Sequence, residues 1–435
     1  MDGAANDPQL PASAHVATVP VEAGAIPRRV VTGPVEWRGM FAAFRHRNYR
    51  MFFVGQFVSL IGTWMQMVAQ GWLVYQLSNS SLILGLIPFL SGLPVTFLSL
   101  PAGVLADRME KRRVLIVTQA VAMALCFVLA VLTHFGVVTV WHVAAIGVLL
   151  GVTNAFDMPA RQSFVTEMVG KDDLMNAIAL NSSMFNGARV FGPALAGLLL
   201  AWVGAAGCFF FNAVSYLAVI AAYALMRLPA PAERSAARSL RQEMLEALRY
   251  VWGDRSIRAT VFLVAVLAVF AVPFTVLLPV FARDILRVGP TGFGFLVSAH
   301  GIGGMLGALM LAALGNSPHR ERLFFAGVFG LAAMLVLLAI SRNAWLSGGV
   351  LLCVGWFMIV AFASANTSVQ LRAPDALRGR VMAIYVLAFL GLGPFGGLLA
   401  GALAHATSAP VAVACGAGVS AAAALIAWRG RRDRG

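Results

Sequence analysis

The stretch LPAGVLADRMEKRRVLIV, Leu100–Val117, places a dense cluster of charges between two long apolar runs. Charged residues make up only 11% of the chain, whereas soluble domains contain about a quarter. A short, mainly basic cluster between apolar runs is typical of a loop that joins two membrane-spanning helices. The cluster opens with an acid, and its members are Asp107, Arg108, Glu110, Lys111, Arg112 and Arg113.

The composition of the whole chain indicates a polytopic membrane protein. Of the 435 residues, 60% are hydrophobic, and the mean hydropathy is +0.83. An aqueous fold of this length could not bury so much apolar surface. The net charge of +14 does not indicate nucleic-acid binding, because the bases are scattered among loops and form no single face. The cysteines lie in apolar runs and are expected to pack as small hydrophobic side chains: Cys126, Cys208, Cys353 and Cys415.

Twelve apolar runs are long enough to cross a bilayer, which takes roughly 20 residues. They cover about 50–77, 82–105, 114–134, 140–160, 179–202, 207–227, 258–282, 292–314, 322–341, 345–366, 380–404 and 410–428. With the N-terminus inside, nearly all loop bases fall on one side, and only Arg283, Arg287 and Arg342 fall on the other. The positive-inside rule therefore predicts that both termini are cytoplasmic, and the membrane is expected to be the plasma (inner) membrane.

The two halves of the chain resemble one another. GARVFGPALAGLL at 187–199 corresponds to GLGPFGGLLAG at 391–401. A repeat of this length predicts a duplicated six-helix unit, and the fold is expected to be an all-α membrane protein of two pseudo-symmetric six-helix bundles. The predicted parts are a disordered cytoplasmic tail (1–36), a first bundle (37–228), a linker with an amphipathic helix (229–256), a second bundle (257–428) and a basic tail (429–435).

The charged loop resembles the signature loop of the major facilitator superfamily, G-x-L-A-D-R-x-G-R-K/R. The match comprises Gly103, Asp107, Arg108, Lys111 and Arg112, whereas Glu110 replaces the usual second glycine. Other segments are similar to the subgroup that includes the enterobactin exporter and drug and macrolide efflux proteins. These segments are RNYRMFFVGQFVSLIGTWMQ, WLVYQLSNSS, AFDMPARQSFV, LNSSMFNGARVFGPALAG and LRGRVMAIYVLAFLGLGPFGGLLAG.

This resemblance implies a secondary transporter that exports a small siderophore-like or drug-like molecule by alternating access, with protons as the coupling ion. It also implies that Asp107 contacts the start of the eleventh helix, here near Arg378 and Arg380, as a conformational latch. The partners expected are the substrate, protons and anionic lipid headgroups, with the protein acting as a monomer. No P-loop of the form G-x-x-x-x-G-K-S/T and no metal or nucleophile signature occurs, so neither enzyme activity nor a cofactor is predicted. The alternatives are an integral-membrane enzyme or scaffold, and an importer or sensor of the same fold.

A polar stripe marks one face of the first predicted span. Polar groups facing hydrocarbon are costly, so the stripe must face protein or a water-filled cavity. The alternative to cavity lining is interhelical hydrogen bonding, and the number of glutamines favours the cavity. The stripe consists of Gln56, Ser59, Thr63, Gln66 and Gln70.

Ionisable residues at membrane depth are few, and each is a functional candidate. Asp157 is a candidate for proton coupling or for an ion pair with Arg161 or the Arg112–Arg113 cluster. Arg189, on one face with Asn181 and Asn186, could bind an anionic group or pair with Asp157. His300 is the other candidate proton carrier, because histidine titrates nearest neutral pH, or it could be a neutral packing residue.

Glycines and prolines are expected to mark close helix contacts and bends. The elements concerned resemble the antiporter motif of the fifth helix in the same superfamily, which favours export, although packing also explains them. They comprise Gly192, Pro193 and Gly197 in the fifth span and Gly393, Pro394 and Gly397 in the eleventh.

Overall fold

The computed structural model describes residues 39–170, 173–226, 240–315, 319–374 and 377–432. Within these ranges, twelve helices are long and apolar enough to cross a membrane, which confirms the predicted all-helical fold. They are α1 Arg47–Ser78, α2 Ser81–Arg108, α3 Lys111–His134, α4 Val140–Val169, α5 Leu174–Trp202, α6 Gly204–Leu225, α7 Arg255–Ile285, α8 Gly289–Leu314, α9 Arg320–Ile340, α10 Ala344–Arg372, α11 Arg378–Ala406 and α12 Ala409–Arg432. The predicted tail at 1–36 lies outside the described residues, as does the final segment 433–435.

Polar residues at the helix ends set the boundaries of several spans. Asp254 caps α7, because its Oδ1 accepts hydrogen bonds from the amides of Ser256 and Ile257 at 2.8 and 2.9 Å. Asn343 caps α10 in the same way. Asn79 ends α1 in the left-handed conformation, with φ of 47°. Such caps satisfy amide and carbonyl groups that a helix leaves unpaired at its ends, so each span stops where polar side chains begin.

A linker helix, Leu240–Gly253, lies between α6 and α7. It packs against the start of α11 and against α7, with Ala247 and Val251 buried. Glu246 pairs with Arg380 at 3.0 Å, and Trp252 is exposed. The amphipathic helix expected in the linker is therefore attached to the second half of the chain by its apolar face.

Among the described residues, two helix pairs make the most extensive contacts between the halves. Helix α5 packs against α8, and α2 packs against α11. These pairs are equivalent under the duplication, since α5 corresponds to α11 and α2 to α8. The spacing of Gly85 and Gly92 in α2 matches that of Gly294 and Gly301 in α8. The internal repeat thus produces two related interfaces from one pattern of small residues.

Glycine is required where these interfaces are tightest. A Cβ on Gly197 of α5 would lie 2.9 Å from the Cα of Gly294 on α8. A Cβ on Gly401 of α11 would lie 2.5 Å from the carbonyl oxygen of Ser81 on α2. Any larger side chain at either position would force the backbones apart.

The helix termini define two ends of the bundle. We call the end with Lys111, Arg161, Arg320 and Arg372 the basic end, and the opposite one the far end. In the described part of the chain, side-chain hydrogen bonds between the halves occur at mid-depth and at the far end. A cavity of about 570 Å³ lies on the basic side of these contacts, beside α4 and α5. The hydrogen bonds between the halves thus lie at mid-depth and at the far end, and the cavity near the basic end is lined by residues of α4 and α5 in the first half.

Helices α5 and α11 differ at their matching prolines. Helix α5 continues without interruption through Pro193. Helix α11 contains a π-helical turn at Leu387–Gly391 and resumes at Gly393, with Pro394 in its first turn. Proline removes one backbone donor, and a π turn is one way to accommodate the resulting defect. Of the two matching prolines, only Pro394 of α11 is therefore accompanied by a π turn at the expected bend.

Candidate transport site

Arg189 and His300 meet at the interface between the halves. Arg189 Nη2 on α5 lies 2.8 Å from His300 Nε2 on α8. The close approach depends on Gly301, because a Cβ there would be 2.9 Å from the carbonyl oxygen of Arg189. His300 is only 4% exposed, and its ring also packs edge-on against Phe274 of α7. Two candidates proposed separately from the sequence therefore form one contact.

The hydrogen bond to Arg189 determines which ring nitrogen of His300 carries the proton. Arginine only donates hydrogen bonds, so His300 Nε2 must accept and the ring is neutral with its proton on Nδ1. Protonation of His300 would turn both partners into donors and abolish the bond. Among the described residues, no carboxylate pairs with Arg189, and Asp157 pairs with Arg161 instead. The Arg189–Asp157 pair left open by the sequence is not formed in this structure.

Asp157 is buried within the first half. Its carboxylate is 2% exposed and accepts hydrogen bonds from Thr118 Oγ1 at 3.0 Å and Gln119 Nε2 at 2.7 Å. Arg161, one turn further along α4, lies 3.5 Å from its second oxygen. All of these partners belong to α3 and α4. A change of protonation at Asp157 would thus act first on the packing of the first half.

Much of the polar stripe of α1 lies inside the first half. Gln66 is 6% exposed, and its Oε1 accepts hydrogen bonds from Asn212 of α6 at 2.6 Å and Cys126 of α3 at 2.9 Å. Gln56 and Ser59 are each 2% exposed. Gln66 therefore makes the interhelical hydrogen bonds that the sequence left as the alternative, whereas Gln56 Oε1 has no hydrogen-bond partner among the described residues.

The remaining stripe residues are more accessible. Thr63 and Gln70 are half-buried, and Thr63 Oγ1 donates to the carbonyl oxygen of Ser59 at 2.9 Å. Cavity lining at these two positions stays a prediction.

Asn181 and Asn186 line the cavity beside α4 and α5. The Oδ1 of Asn181 accepts a hydrogen bond from the Tyr49 hydroxyl at 3.0 Å, and Asn186 Nδ2 donates to the Ser182 carbonyl at 2.9 Å. Phe185, one turn before Arg189, also lines this cavity and is 48% exposed. The cavity thus combines amides with an aromatic ring, as small-molecule sites commonly do.

The residues of the predicted latch have several different partners. Lys111 pairs with Glu167 of α4 at 2.6 Å, and Arg112 Nε donates to the Tyr223 carbonyl at 2.8 Å. Gly103 faces Pro159, with its Cβ position 3.7 Å from the ring.

On the other half, Arg378 Nε donates to the Gln370 carbonyl at 3.0 Å, and Arg380 pairs with Glu246. The side chains of Asp107 and Arg108 lie outside the described part of the structure. The proposed contact of Asp107 with α11 therefore stays a prediction.

Most of the glycines and prolines that were expected at helix contacts do lie at such contacts. Gly192 approaches α1, with its Cβ position 2.8 Å from the Ile61 carbonyl, and Gly197 faces Gly294. Gly397 approaches Gly85, and the Pro394 ring packs over Gly92. Gly393 is different, because open space surrounds its Cβ position. The expectation of a close helix contact at Gly393 is therefore wrong, and its place beside the π turn of α11 is the feature that sets it apart.

A second inter-half contact was not anticipated from the sequence. At the far end, the Tyr75 hydroxyl of α1 donates to Asp284 of α7. Arg283 Nη1 donates to Asn79 Oδ1 at 2.7 Å, and its guanidinium lies 5.4 Å from the Tyr75 ring centroid. We call Tyr75, Asn79, Arg283 and Asp284 the far-end latch. The available signal was the adjacent Arg283 and Asp284 at the end of an otherwise apolar helix, although Arg283 was interpreted only as a loop base.

The fold and this site define a membrane transporter built from two six-helix halves. Residues 38–433 match the family model for transmembrane secretion effectors, and the chain belongs to this family of major facilitator proteins. It is 30% identical to the multidrug efflux pump Tap of Mycolicibacterium fortuitum over 357 residues, covering 79% of this chain and 86% of the pump.

Two further relatives agree with this assignment. The staphyloferrin A transporter of Staphylococcus aureus is 25% identical to this chain, over 80% of this chain and 88% of the transporter. The enterobactin exporter EntS of Shigella boydii is 25% identical over 86% of this chain and 89% of its own. The crystal structure of the nucleoside transporter NupG shares the fold with a TM-score of 0.71 at 12% identity, covering 88% of this chain and 98% of that one. The predicted superfamily is confirmed, and the chain is a transporter rather than an enzyme.

Proposed function

We propose that this protein is a secondary exporter of the plasma membrane that moves a small siderophore-like or drug-like molecule by alternating access. The observation that carries the proposal is the distribution of contacts between the halves. Their hydrogen bonds lie at mid-depth and at the far end, while near the basic end a cavity of about 570 Å³ is lined by α4 and α5 of the first half. By the positive-inside rule the basic end is cytoplasmic, so this arrangement corresponds to a state that accepts substrate from the cytoplasm.

Export as the direction is supported by the relatives. The chain is similar to a multidrug efflux pump and to an enterobactin exporter, over most of its length in both cases. Major facilitator proteins move substrate by rocking the two halves about a central site. The paired glycine interfaces, α5 with α8 and α2 with α11, are suited to such motion, because small residues allow sliding without large side-chain rearrangement.

Proton coupling is assigned to His300 in preference to Asp157. A coupling ion must change the relative free energy of the two conformations. His300 contacts Arg189 across the interface, so adding a proton to His300 breaks a bond between the halves. The partners of Asp157 all lie within the first half, on α3 and α4. Asp157 is thus the second candidate for the proton step.

Transport in membrane vesicles tests this proposal. Everted vesicles containing the full chain should accumulate enterobactin or staphyloferrin A when the lumen is acidified, and a protonophore should abolish accumulation. His300→Ala should remove the dependence on the proton gradient, and Asp157→Asn should reduce it less. Accumulation in right-side-out vesicles only would replace export with import. Accumulation with unchanged pH dependence in both variants would remove the proton step.

A further inference from the structure

Arg189 is a membrane-depth cation whose charge is not neutralised by any carboxylate in the described part of the chain. Its partner is His300, which is neutral when it accepts the hydrogen bond. Every carboxylate ion pair that the structure gives lies elsewhere, and Asp157, the buried acid of α4, is paired with Arg161. An uncompensated charge at this depth is costly, and proteins retain such charges at sites of ligand or ion passage.

Arg189 is half-buried and lies near the residues that line the cavity. It lies one turn beyond Phe185 and Asn186, which line the cavity of about 570 Å³ on the basic side. On α8 it faces glycines: a Cβ on Gly304 would be 3.8 Å from Arg189 Nη1. A side chain at this position would be in van der Waals contact with the guanidinium. The cation is thus placed where the cavity ends and the α5–α8 interface begins.

We propose that Arg189 binds an anionic group of the transported molecule, so that the substrate is an organic anion with a planar oxyanion such as a carboxylate. This inference rests on the proposed function, since it names the chemical class of that substrate. Arginine favours carboxylates because its planar fork can donate two parallel hydrogen bonds to them. Phe185 and the amide of Asn186 are positioned to contact the rest of the molecule. His300 holds the guanidinium in place until the anion provides stronger acceptors.

Thermal unfolding of the purified full chain tests the anion site with three probes that share one ring system. These are naphthoate, naphthamide and naphthylmethylamine, which are anionic, neutral and cationic. Naphthoate should raise the melting temperature in a saturable manner, because a ligand that binds only the folded state stabilises it. The other two should have little effect. Equal stabilisation by all three would overturn the proposal and leave Arg189 as a tie between helices.

Variants assign the effect to the guanidinium. Arg189→Gln should raise the apparent Kd for naphthoate about 10- to 100-fold, as expected for loss of a charge-assisted hydrogen bond. Arg189→Lys should have an apparent Kd for naphthoate between that of the parent and that of Arg189→Gln. Arg342→Gln is the control, because Arg342 donates to backbone carbonyls at the far end. A naphthoate response that survives Arg189→Gln contradicts the site.

Failure of the anion site can be distinguished from failure of the proposed export. Vesicle transport with melting that does not respond to naphthoate overturns the anion site alone. An Arg189-dependent naphthoate response in a protein that accumulates no substrate in either vesicle orientation overturns the proposed export instead.

Discussion

The Tyr75 hydroxyl on α1 donates a hydrogen bond to the carboxylate of Asp284 on α7, and this bond connects the two halves at the far end. Arg283, next in the chain to Asp284, contacts both Tyr75 and Asn79. The far-end latch therefore joins α1 to α7 by hydrogen bonds to charged groups and by a cation–π contact. Opening of the far end requires all of these contacts to separate.

Tyr75→Phe should shift the population towards a state open at the far end. The change removes one hydrogen bond to a charged group, which contributes about 1.5–3 kcal/mol. Distances between spin labels on the far ends of α1 and α7 should lengthen in a larger fraction of molecules. Tyr385→Phe is the matched control, because Tyr385 donates at 2.8 Å to the Phe362 carbonyl within the second half. An equal shift in both variants would mean that the latch does not control opening.

Gln66→Leu should lower the stability of the protein by about 1–3 kcal/mol, because it leaves the buried amide of Asn212 with only the weak sulfur acceptor of Cys126. Gln70→Leu should have a smaller effect, since Gln70 is only half-buried. Thermal unfolding in detergent measures the difference. In a background without native cysteines, Gln66→Cys should resist a membrane-impermeant thiol reagent, whereas Gln70→Cys should react. Reactivity at position 66 with protection by substrate would restore the cavity interpretation.

Asp173 should make the free energy of unfolding depend on pH in the acidic range. A hydrogen bond from His46 and the nearby Arg45 hold the pKa of Asp173 below its usual range. A lowered folded-state pKa means that Asp173 stabilises the protein above the unfolded carboxyl pKa, about 3.9, and that this stability is lost as pH falls through the lowered value. The melting temperatures of the parent and of Asp173→Asn should therefore converge as pH falls below about 4. A gap that is constant with pH would contradict this assignment.

His46→Ala is the companion variant for that measurement. It removes the first cause of the lowered pKa while leaving Arg45 in place. The pH-dependent part of the Asp173 effect should become smaller in this background.

Two variants near the basic end should shift the conformational equilibrium in opposite directions. Arg380 pairs with Glu246 of the linker helix in this structure, whereas the superfamily resemblance implies a contact between Asp107 and the start of α11 when the basic end closes. Glu246→Gln should release Arg380 and favour the closed basic end, while Asp107→Asn should favour the open one, each by about 1–2 kcal/mol. Distances between spin labels on the basic ends of α2 and α11 measure both shifts. Shifts in the same direction would reject the exchange of partners.

Hydropathy and charge were sufficient to predict the twelve spans, because a membrane segment must be apolar over its whole length. They could not predict the environment of Gln66, since a polar stripe identifies a face of α1 but not the helices that cover it. Arg189 and His300 were each identified by their depth, whereas their contact depends on the register of α5 against α8. The role of Tyr75 was missed because a tyrosine near a helix end is also common at membrane interfaces.

The two glycine interfaces share an origin but differ in chemistry. The α5–α8 interface carries a polar pair, Arg189 and His300, whereas in α2–α11 the Pro394 ring packs on Gly92. If His300 carries the coupling proton as proposed, the first interface sets the energetic limit of transport and the second affects its rate. Substitutions at α5–α8 should change how much substrate gradient a given proton gradient supports. Substitutions at α2–α11 should change turnover while leaving that limiting ratio untouched.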